Sequence, residues 1–376
     1  GDAAHTLVLI SHSCDLPDEL HAFSARFELK LPDLDALEKQ VHLEARAWAD
    51  AHPGKKVKTD NRTLAQLLKQ LSGLGNSDAR RLIRNAIHDD GAITESDLPE
   101  VMQAKYRLLD QGGALSFELD TARFSDVGGL EHLKRWLKQR KDVFLEQDTT
   151  LDPPRGILMV GVQGGGKSLA AKAVAGLWQL PLLRLDFGAL YNKFFGETER
   201  NLRSSLATAE AMAPCVLWVD EIEKAIASGD YDSGTSKRVL GTLLTWMAER
   251  NSPVFLVATA NRIDSLPPEL IRKGRMDEIF FVDLPDLAIR QKIFEIHLRK
   301  RNHQPGDFDL TRLARESEGF SGAEIEQAVV AGLYLAREQG TALDSDHLLT
   351  ELSQTRPLSV VMSEPLSALR AWAAER

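Results

Sequence analysis

Only two cysteines, Cys14 and Cys215, occur in the 376 residues, and they lack the paired spacing of a metal knuckle or a disulfide framework. Both read as reduced thiols in or beside buried strands, so the fold has to be held by packing. Long apolar runs are also missing. The longest, such as Cys215 to Val219, are strand-sized, against the roughly 18 residues that a membrane-spanning helix needs, so no membrane span is expected. Basic charge is in short supply, with 46 Lys and Arg against 55 Asp and Glu and a formal net charge of −9. The absence of a long basic block or a helix-turn-helix pattern argues against nucleic acid as a partner. No His-Glu-x-x-His occurs, which excludes a zincin protease site. The expectation is a soluble, cytoplasmic protein. A chain that begins Gly1-Asp2 reads as trimmed, leaving the nature of anything before Gly1 open.

What the chain does contain is apolar residue, at 43%, over a length that exceeds one hydrophobic core, so two or more packed units are expected. Near the middle, the apolar run Gly156-Ile157-Leu158-Met159-Val160 predicts a buried strand. It leads directly into Gly161-Val162-Gln163-Gly164-Gly165-Gly166-Lys167-Ser168, a complete P-loop. Glycines here let backbone amides wrap a phosphate, and a helix opening at Lys167-Ser168-Leu169 aims its positive end at the same oxygens. Lys167 then neutralises the β and γ phosphates of ATP or ADP, and the Ser168 hydroxyl is placed for Mg2+. A second apolar strand, Cys215 to Val219, ends in Asp220 and Glu221. Asp220 is expected to hold the Mg2+ shell with Ser168, and Glu221 to orient or deprotonate the attacking water. About fifty residues separate the two motifs within a βαβ pattern, which predicts an α/β nucleoside triphosphatase.

A third strand, Val254 to Ala258, leads to Asn261, and Leu266 to Asp277 follows with Arg272, Lys273, Gly274 and Arg275. With these in hand, residues from about Phe124 to Arg376 resemble an AAA module: a three-layer α/β/α P-loop core with a C-terminal helical lid. The resemblance implies roles for particular residues. Gly128, in the Asp126-Val127-Gly128-Gly129 segment at the entry to the module, is counted with the nucleotide-binding residues, and Asn261 is the polar sensor. Arg272 and Arg275 are arginine fingers that reach the γ-phosphate of the neighbouring subunit, which makes self-association into a ring, in this family a homohexamer, a condition of turnover. On charge alone the same arginines fit a basic surface loop. Phe194 and Phe195, in Asn192-Lys193-Phe194-Phe195-Gly196-Glu197, stand where remodelling members grip an extended protein substrate in the ring pore. Burial beneath a helix start is the competing reading. His297 falls where the family has a histidine near base or ribose. Gly322 and Ala323, in Gly319-Phe320-Ser321-Gly322-Ala323-Glu324, match the lid turn beside the adenine. At Gly165 the chain departs from the threonine frequent in the family.

The beginning of the chain parallels its end. Thr6 to Ser11 followed by Leu16 to Leu20 parallels Val254 to Asn261 followed by Leu266 to Leu270. Phe27-Glu28-Leu29-Lys30-Leu31-Pro32-Asp33-Leu34 parallels Phe280-Phe281-Val282-Asp283-Leu284-Pro285-Asp286-Leu287. Gly73 to Asp78 parallels Gly319 to Glu324, and Ile93 to Leu98 parallels Leu343 to Leu348. Four landmarks in one order predict the back end of a second AAA-like module that has lost its chemistry. The expected organisation is a core remnant at 1–50, its helical lid at 59–112, an ATPase core at 120–290, and a lid with a C-terminal helix at 291–376. An inactive half followed by an active one resembles the conserved-reading-frame AAA proteins of algal plastids, cyanobacteria and other bacteria, which for a plastid-encoded member implies the stroma. The function implied is Mg2+-dependent ATP hydrolysis coupled to remodelling of an unidentified protein, with an ATP-dependent assembly switch as the alternative.

Overall fold

A computed structural model describes residues 23–25, 31–88, 90–109, 114–118, 127–146, 151–192, 198–225, 233–263, 265–271 and 274–375. Arg272, Phe194 and Phe195 lie outside these residues, as do Thr6 to Leu20 and Phe27 to Lys30.

The first described body is a bundle of α1 (Leu34–Ala51), α2 (Asn61–Leu71), α3 (Asn76–His88) and α4 (Leu98–Leu109). Asp33 starts α1 by accepting a hydrogen bond from the Ala36 amide at 2.8 Å, and Asp60 starts α2 by accepting from Arg62 and Thr63. Such caps satisfy the orphan amides of a first turn. Leu37 and Val41 of α1 share one core with Leu67, Leu71, Ile83 and Ile87. The stretch between the expected core remnant at 1–50 and the expected lid at 59–112 therefore joins two helices of this bundle, and among the described residues α1 shares its core with the helices after it. A polar, turn-rich loop between two helices of one core reads in sequence like an interdomain linker.

Next come β1 (Leu115–Glu118), α5 (Glu131–Glu146), β2 (Gly156–Gly161), α6 (Lys167–Trp178), β3 (Leu182–Leu185), α7 (Phe187–Asn192), α8 (Thr198–Ala211), β4 (Cys215–Val219), α9 (Ser233–Glu249), β5 (Val254–Ala260), α10 (Pro268–Ile271) and β6 (Glu278–Val282). They form a six-stranded sheet in the order β1-β3-β4-β5-β2-β6. Only β1 is antiparallel, on β3; the other pairings are parallel. β2, β4 and β5 are buried at every position, as strands covered by helices on both faces must be. Their side chains alternate between two cores. Leu158, Leu217 and Leu256 face one, and Ile157, Val216, Trp218 and Phe255 face the other, against α5 and α6. Because β5 lies between β2 and β4, the carboxyl ends of all three meet at one edge, where ligands bind in open α/β sheets.

The remaining helices are α11 (Leu287–Lys300), α12 (Leu310–Glu316), α13 (Gly322–Gln339), α14 (Ser345–Gln354), α15 (Leu358–Val361) and α16 (Ser363–Ala374). Asp286 caps α11 as Asp33 caps α1, and Ser321 with Glu324 forms a capping box on α13. Phe294, Leu298, Leu313, Ile325 and Leu348 make the core of α11 to α14. In both four-helix groups the first helix packs on the second and third, and the fourth closes against the same two. α16 returns to the sheet domain, where Leu366 and Leu369 join its core and Arg370 grips Asp283 through Nε and Nη2 at 2.9–3.1 Å. α4 anchors the N-terminal bundle on the same domain: Met102 and Tyr106 pack with Leu206 and Met212, and Tyr106 donates to the Leu115 carbonyl at 2.5 Å. No described helix is long and apolar enough to cross a membrane.

Candidate functional site

A cleft of about 680 Å3 opens where the carboxyl ends of β2, β4 and β5 face α11 and α13, a volume ordinary for a site that takes a small molecule. Its floor is the loop from β2 to α6. Gly164 and Gly166 hold φ of +74° and +94°, a region that L side chains enter at a cost of about 1–2 kcal/mol. At Gly161 a side chain would collide with the Val282 backbone. Gly165 has no such φ, and a Cβ there would stand 3.1 Å from the Val162 carbonyl oxygen and 3.2 Å from Val162 Cγ2. A larger residue at Gly165 thus needs only a few tenths of an ångström of relief. With Gly166 as a cap that offers no side chain, the first-turn amides of α6 are left for an anion.

Lys167 is buried and donates from Nζ to the Gly161 and Val162 carbonyls at 2.8 and 2.7 Å. Burial pushes its ammonium down to about 8, against the pull of Glu223, Asp220 and Glu221. A phosphate group beside it would offset that desolvation.

Across the cleft, the ends of β4 and β5 are tied together by one hydroxyl. Thr259 Oγ1 donates to Asp220 Oδ1 at 2.7 Å and accepts from the Glu221 amide at 2.9 Å. Ser168 Oγ lies 3.5 Å from the same Asp220 oxygen. Glu221 is a non-glycine residue at φ +50°, a strained conformation of the kind that collects at working sites. Asn261 Nδ2 donates to Glu221 Oε1 at 2.8 Å, while the Asn261 amide donates to Glu223 Oε1 at 2.9 Å. Burial raises the Glu223 carboxyl, and its Oε2 has no partner among the described residues. Glu221 Oε2 pairs with Lys224, whose ammonium that carboxylate raises.

The wall opposite comes from the lid. Ile289, Ile293 and Ile296 of α11 make an apolar face against Val127, Gly128, Gly129 and Leu130. A Cβ on Gly128 would stand 3.1 Å from Ile293, so glycine lets that segment close on the helix. His297 lines the same end; its Nδ1 is 3.4 Å from Glu326 Oε1 and 3.2 Å from Arg301 Nη1. Burial holds the imidazole below its ordinary range, with Glu326 opposing. Gly322 and Ala323 also line the cleft, and the Ala323 amide donates to the Gly164 carbonyl at 3.3 Å. Lid and phosphate loop therefore touch directly.

The cleft gathers Gly128, Gln163 to Leu169, Asp220, Glu221, Asn261, His297, Gly322 and Ala323, residues scattered over nearly 200 positions of the chain. Arg275 is not on its wall among the described residues; its guanidinium donates to the Glu269 carbonyl. The sequence reading assigned no role to Thr259, Glu223, Lys224 or Arg184. Thr259 was findable, since residues two apart on a strand share a face and Asn261 is two further on. Arg184 carried a signal as the only charge in an otherwise leucine strand. The donor set suits a triphosphate with Mg2+: main-chain amides and a lysine for the phosphates, one hydroxyl and one carboxylate for a metal that keeps most of its waters. Among the described residues no group of three or more His, Cys, Asp or Glu forms a metal cage of its own.

Residues 157–284 match the model of the ATPase family associated with various cellular activities, and residues 35–112 match the second domain of SpoVK-like AAA ATPases. The AAA domain-containing protein ycf46 of Trieres chinensis is 38% identical over 373 residues, 98% of this chain and 74% of the relative. The proteasome-activating nucleotidase of Aeropyrum pernix is 40% identical over 230 residues, 58% of this chain and 56% of its own length. A cell division cycle protein 48 homologue of Archaeoglobus fulgidus is 36% identical over 233 residues, 59% of this chain and 31% of its own.

Proposed function

The chain belongs to the AAA ATPase family, alongside the ycf46 proteins, and from that premise we propose that it hydrolyses Mg2+-ATP and spends the energy remodelling a protein drawn through a ring of its own copies. The observation that carries this reading is the network Asp220–Thr259–Glu221–Asn261 at the ends of adjacent strands, facing Lys167 across a glycine loop.

In this mechanism the α6 amides and Lys167 bind the β and γ phosphates. Ser168 and Asp220 would hold Mg2+, which would supply neutralisation of the charge on the phosphate oxygens. Asn261 holds one oxygen of Glu221 and Lys224 the other; once Lys224 moves off, the carboxylate takes a proton from a water whose oxygen attacks the γ-phosphorus as the bond to the β–γ bridging oxygen breaks and ADP leaves. Gly128, Ile293, His297, Gly322 and Ala323 enclose base and ribose. Arg275 and Arg272 extend to the nucleotide of the next copy, and Phe194 and Phe195 contact substrate in the pore. Relatives named for activating a proteasome and for cell division suit a protein substrate. The N-terminal bundle is the lid of a worn AAA-like module, a reading supported by its matched family domain and by its helix pairing, which repeats that of α11 to α14.

The Lys224–Glu221 ion pair favours a second reading, an ATP-dependent assembly switch with slow turnover, because a carboxylate oxygen occupied by an ammonium must give up that partner before it can meet water. A mixing experiment tests the ring. Lys167→Ala and Arg275→Ala proteins, each inactive alone, should recover ATPase activity when mixed, since some sites then pair an intact loop with an intact arginine. Mixed assemblies that form and stay inactive would refute the shared site.

A further inference from the structure

β3 is apolar except at one position. Leu182, Leu183 and Leu185 are fully buried, and Arg184 stands among them. In the parallel register Arg184 lies beside Trp218 of β4, so both side chains leave the sheet on the face that carries α6. The guanidinium carbon sits 4.8 Å from the centre of the Trp218 ring. Asp220 lies two residues beyond Trp218, and Arg184 Nη2 donates to its Oδ2 at 3.3 Å. The carboxylate is thus divided: Oδ1 receives Thr259 and Ser168, and Oδ2 receives Arg184. Arg184 has little else to hold it, since its Nε is buried with no partner among the described residues. Leaving a guanidinium donor unsatisfied is unfavourable, and a leucine would continue the strand without that cost. The charge at this position therefore calls for a reason other than packing.

We propose that Arg184 is a positioning residue for Asp220 that competes with Mg2+ for its carboxylate, so that the metal enters with the triphosphate and not ahead of it. The proposal rests on reading the cleft as a Mg2+-nucleotide site. The chain brings one hydroxyl and one carboxylate to the metal. With a fixed positive charge on that carboxylate, a divalent cation alone meets a nearly neutral site and pays its own dehydration. When the metal arrives on a nucleotide, phosphate oxygens fill part of its shell and their charge outweighs the guanidinium. Asp220 then needs only to tilt toward Ser168, while the Trp218 ring retains Arg184 by a cation–π contact.

The test measures Mn2+ binding by the full chain without nucleotide, from the electron paramagnetic resonance of free Mn2+, for wild type, Arg184→Gln, Arg184→Lys and the double variant Arg184→Gln/Asp220→Asn. Binding of a fluorescent ATP analogue is followed in parallel as Mg2+ is titrated. Removing a unit charge this close to the metal is expected to tighten nucleotide-free Mn2+ binding by about tenfold or more in Arg184→Gln. The Mg2+ needed for half-maximal analogue binding falls with it. Arg184→Lys stays within about threefold of wild type, since the charge is kept, and Asp220→Asn cancels the gain. Should Arg184→Gln lose its far-ultraviolet ellipticity, Arg184→Met, which keeps a stem over Trp218, is read in its place. Unchanged or weakened Mn2+ affinity on removing the charge, with analogue binding intact, overturns the role of Arg184 alone. Failure of the wild type to bind the analogue at any Mg2+ concentration overturns the nucleotide reading and this proposal with it.

Discussion

Thr259→Val exchanges one buried hydroxyl for a methyl of nearly the same volume, and the consequences follow from the two hydrogen bonds that hydroxyl makes. Asp220 Oδ1 loses its shortest donor, at 2.7 Å, and the Glu221 amide loses its acceptor, at 2.9 Å. Thr259 is fully buried, so water is poorly placed to substitute. A hydrogen bond to a charged group contributes about 1.5–3 kcal/mol, and a buried amide left unpaired costs about 1–3 kcal/mol. Part of that appears as lost stability. For a domain of this size each 1 kcal/mol lowers Tm by roughly 2–4 °C, so a fall of a few degrees is expected. The rest appears in the reaction, because Glu221 sits at a strained φ of +50° and its amide is what Thr259 fixes. About 2 kcal/mol lost from the transition state corresponds to roughly thirtyfold in kcat. Lys167 and the glycine loop are untouched, so ATP binding should change by no more than about threefold. Steady-state phosphate release gives the first quantity and fluorescence titration with an ATP analogue the second. Thr259→Ser, which keeps the hydroxyl, should recover most of the loss. A Thr259→Val protein with kcat within twofold of wild type would refute the claim that this hydroxyl organises the acidic pair.

With no phosphate beside it, burial holds Lys167 down at about 8 even against the pull of Glu223, Asp220 and Glu221, and only the ammonium form binds phosphate well. Affinity for ATP should therefore hold below pH 8 and fall by up to about tenfold per pH unit above it, and calorimetry near pH 8 should detect proton uptake on binding. A pH-independent affinity between 7 and 9.5 would contradict the placement of Lys167. Lys105 is wholly enclosed with one hydrogen bond, to the Ser72 carbonyl at 2.6 Å, and burial pushes it down to about 8. Its folded pKa lies below its unfolded one, so the unfolded chain holds more protons between about 8 and 10.5 and this group's contribution to stability rises with pH across that window. At pH 7 Lys105→Met should consequently leave stability unchanged or raise it by about 1–3 kcal/mol in urea titrations, and the gain should shrink toward pH 10. A clear loss at pH 7 would show that the Ser72 contact outweighs desolvation.

How much of this was readable beforehand depends on whether the chemistry is contiguous. Gly161 to Ser168 carries its meaning in eight adjacent residues, and Asp220 with Glu221 ends an apolar strand, so one pass along the chain finds both. Asn261, His297, Gly322 and Ala323 came through resemblance, and the fold brings them to one cleft. Thr259 and Arg184 act across strands, and which strands adjoin is settled only when β5 inserts between β2 and β4. Strand order is not written in any local pattern. The same limit governs the N-terminal bundle: α1 looks detached from α2 because the loop between them is polar, yet Leu37 and Val41 complete the core that Leu67 and Leu71 begin.

The most direct test of the account is a comparison of wild type with Glu221→Gln, in which fluorescent ATP binding and phosphate release are measured on the same preparations. Because Gln retains the shape and can still accept from Asn261 but cannot take a proton from water, the variant should bind ATP within about threefold of wild type and release phosphate at least about a hundredfold more slowly. Phosphate release that survives the substitution would contradict the assignment of Glu221 as the base, and wild type that neither binds nor cleaves ATP would contradict the account as a whole.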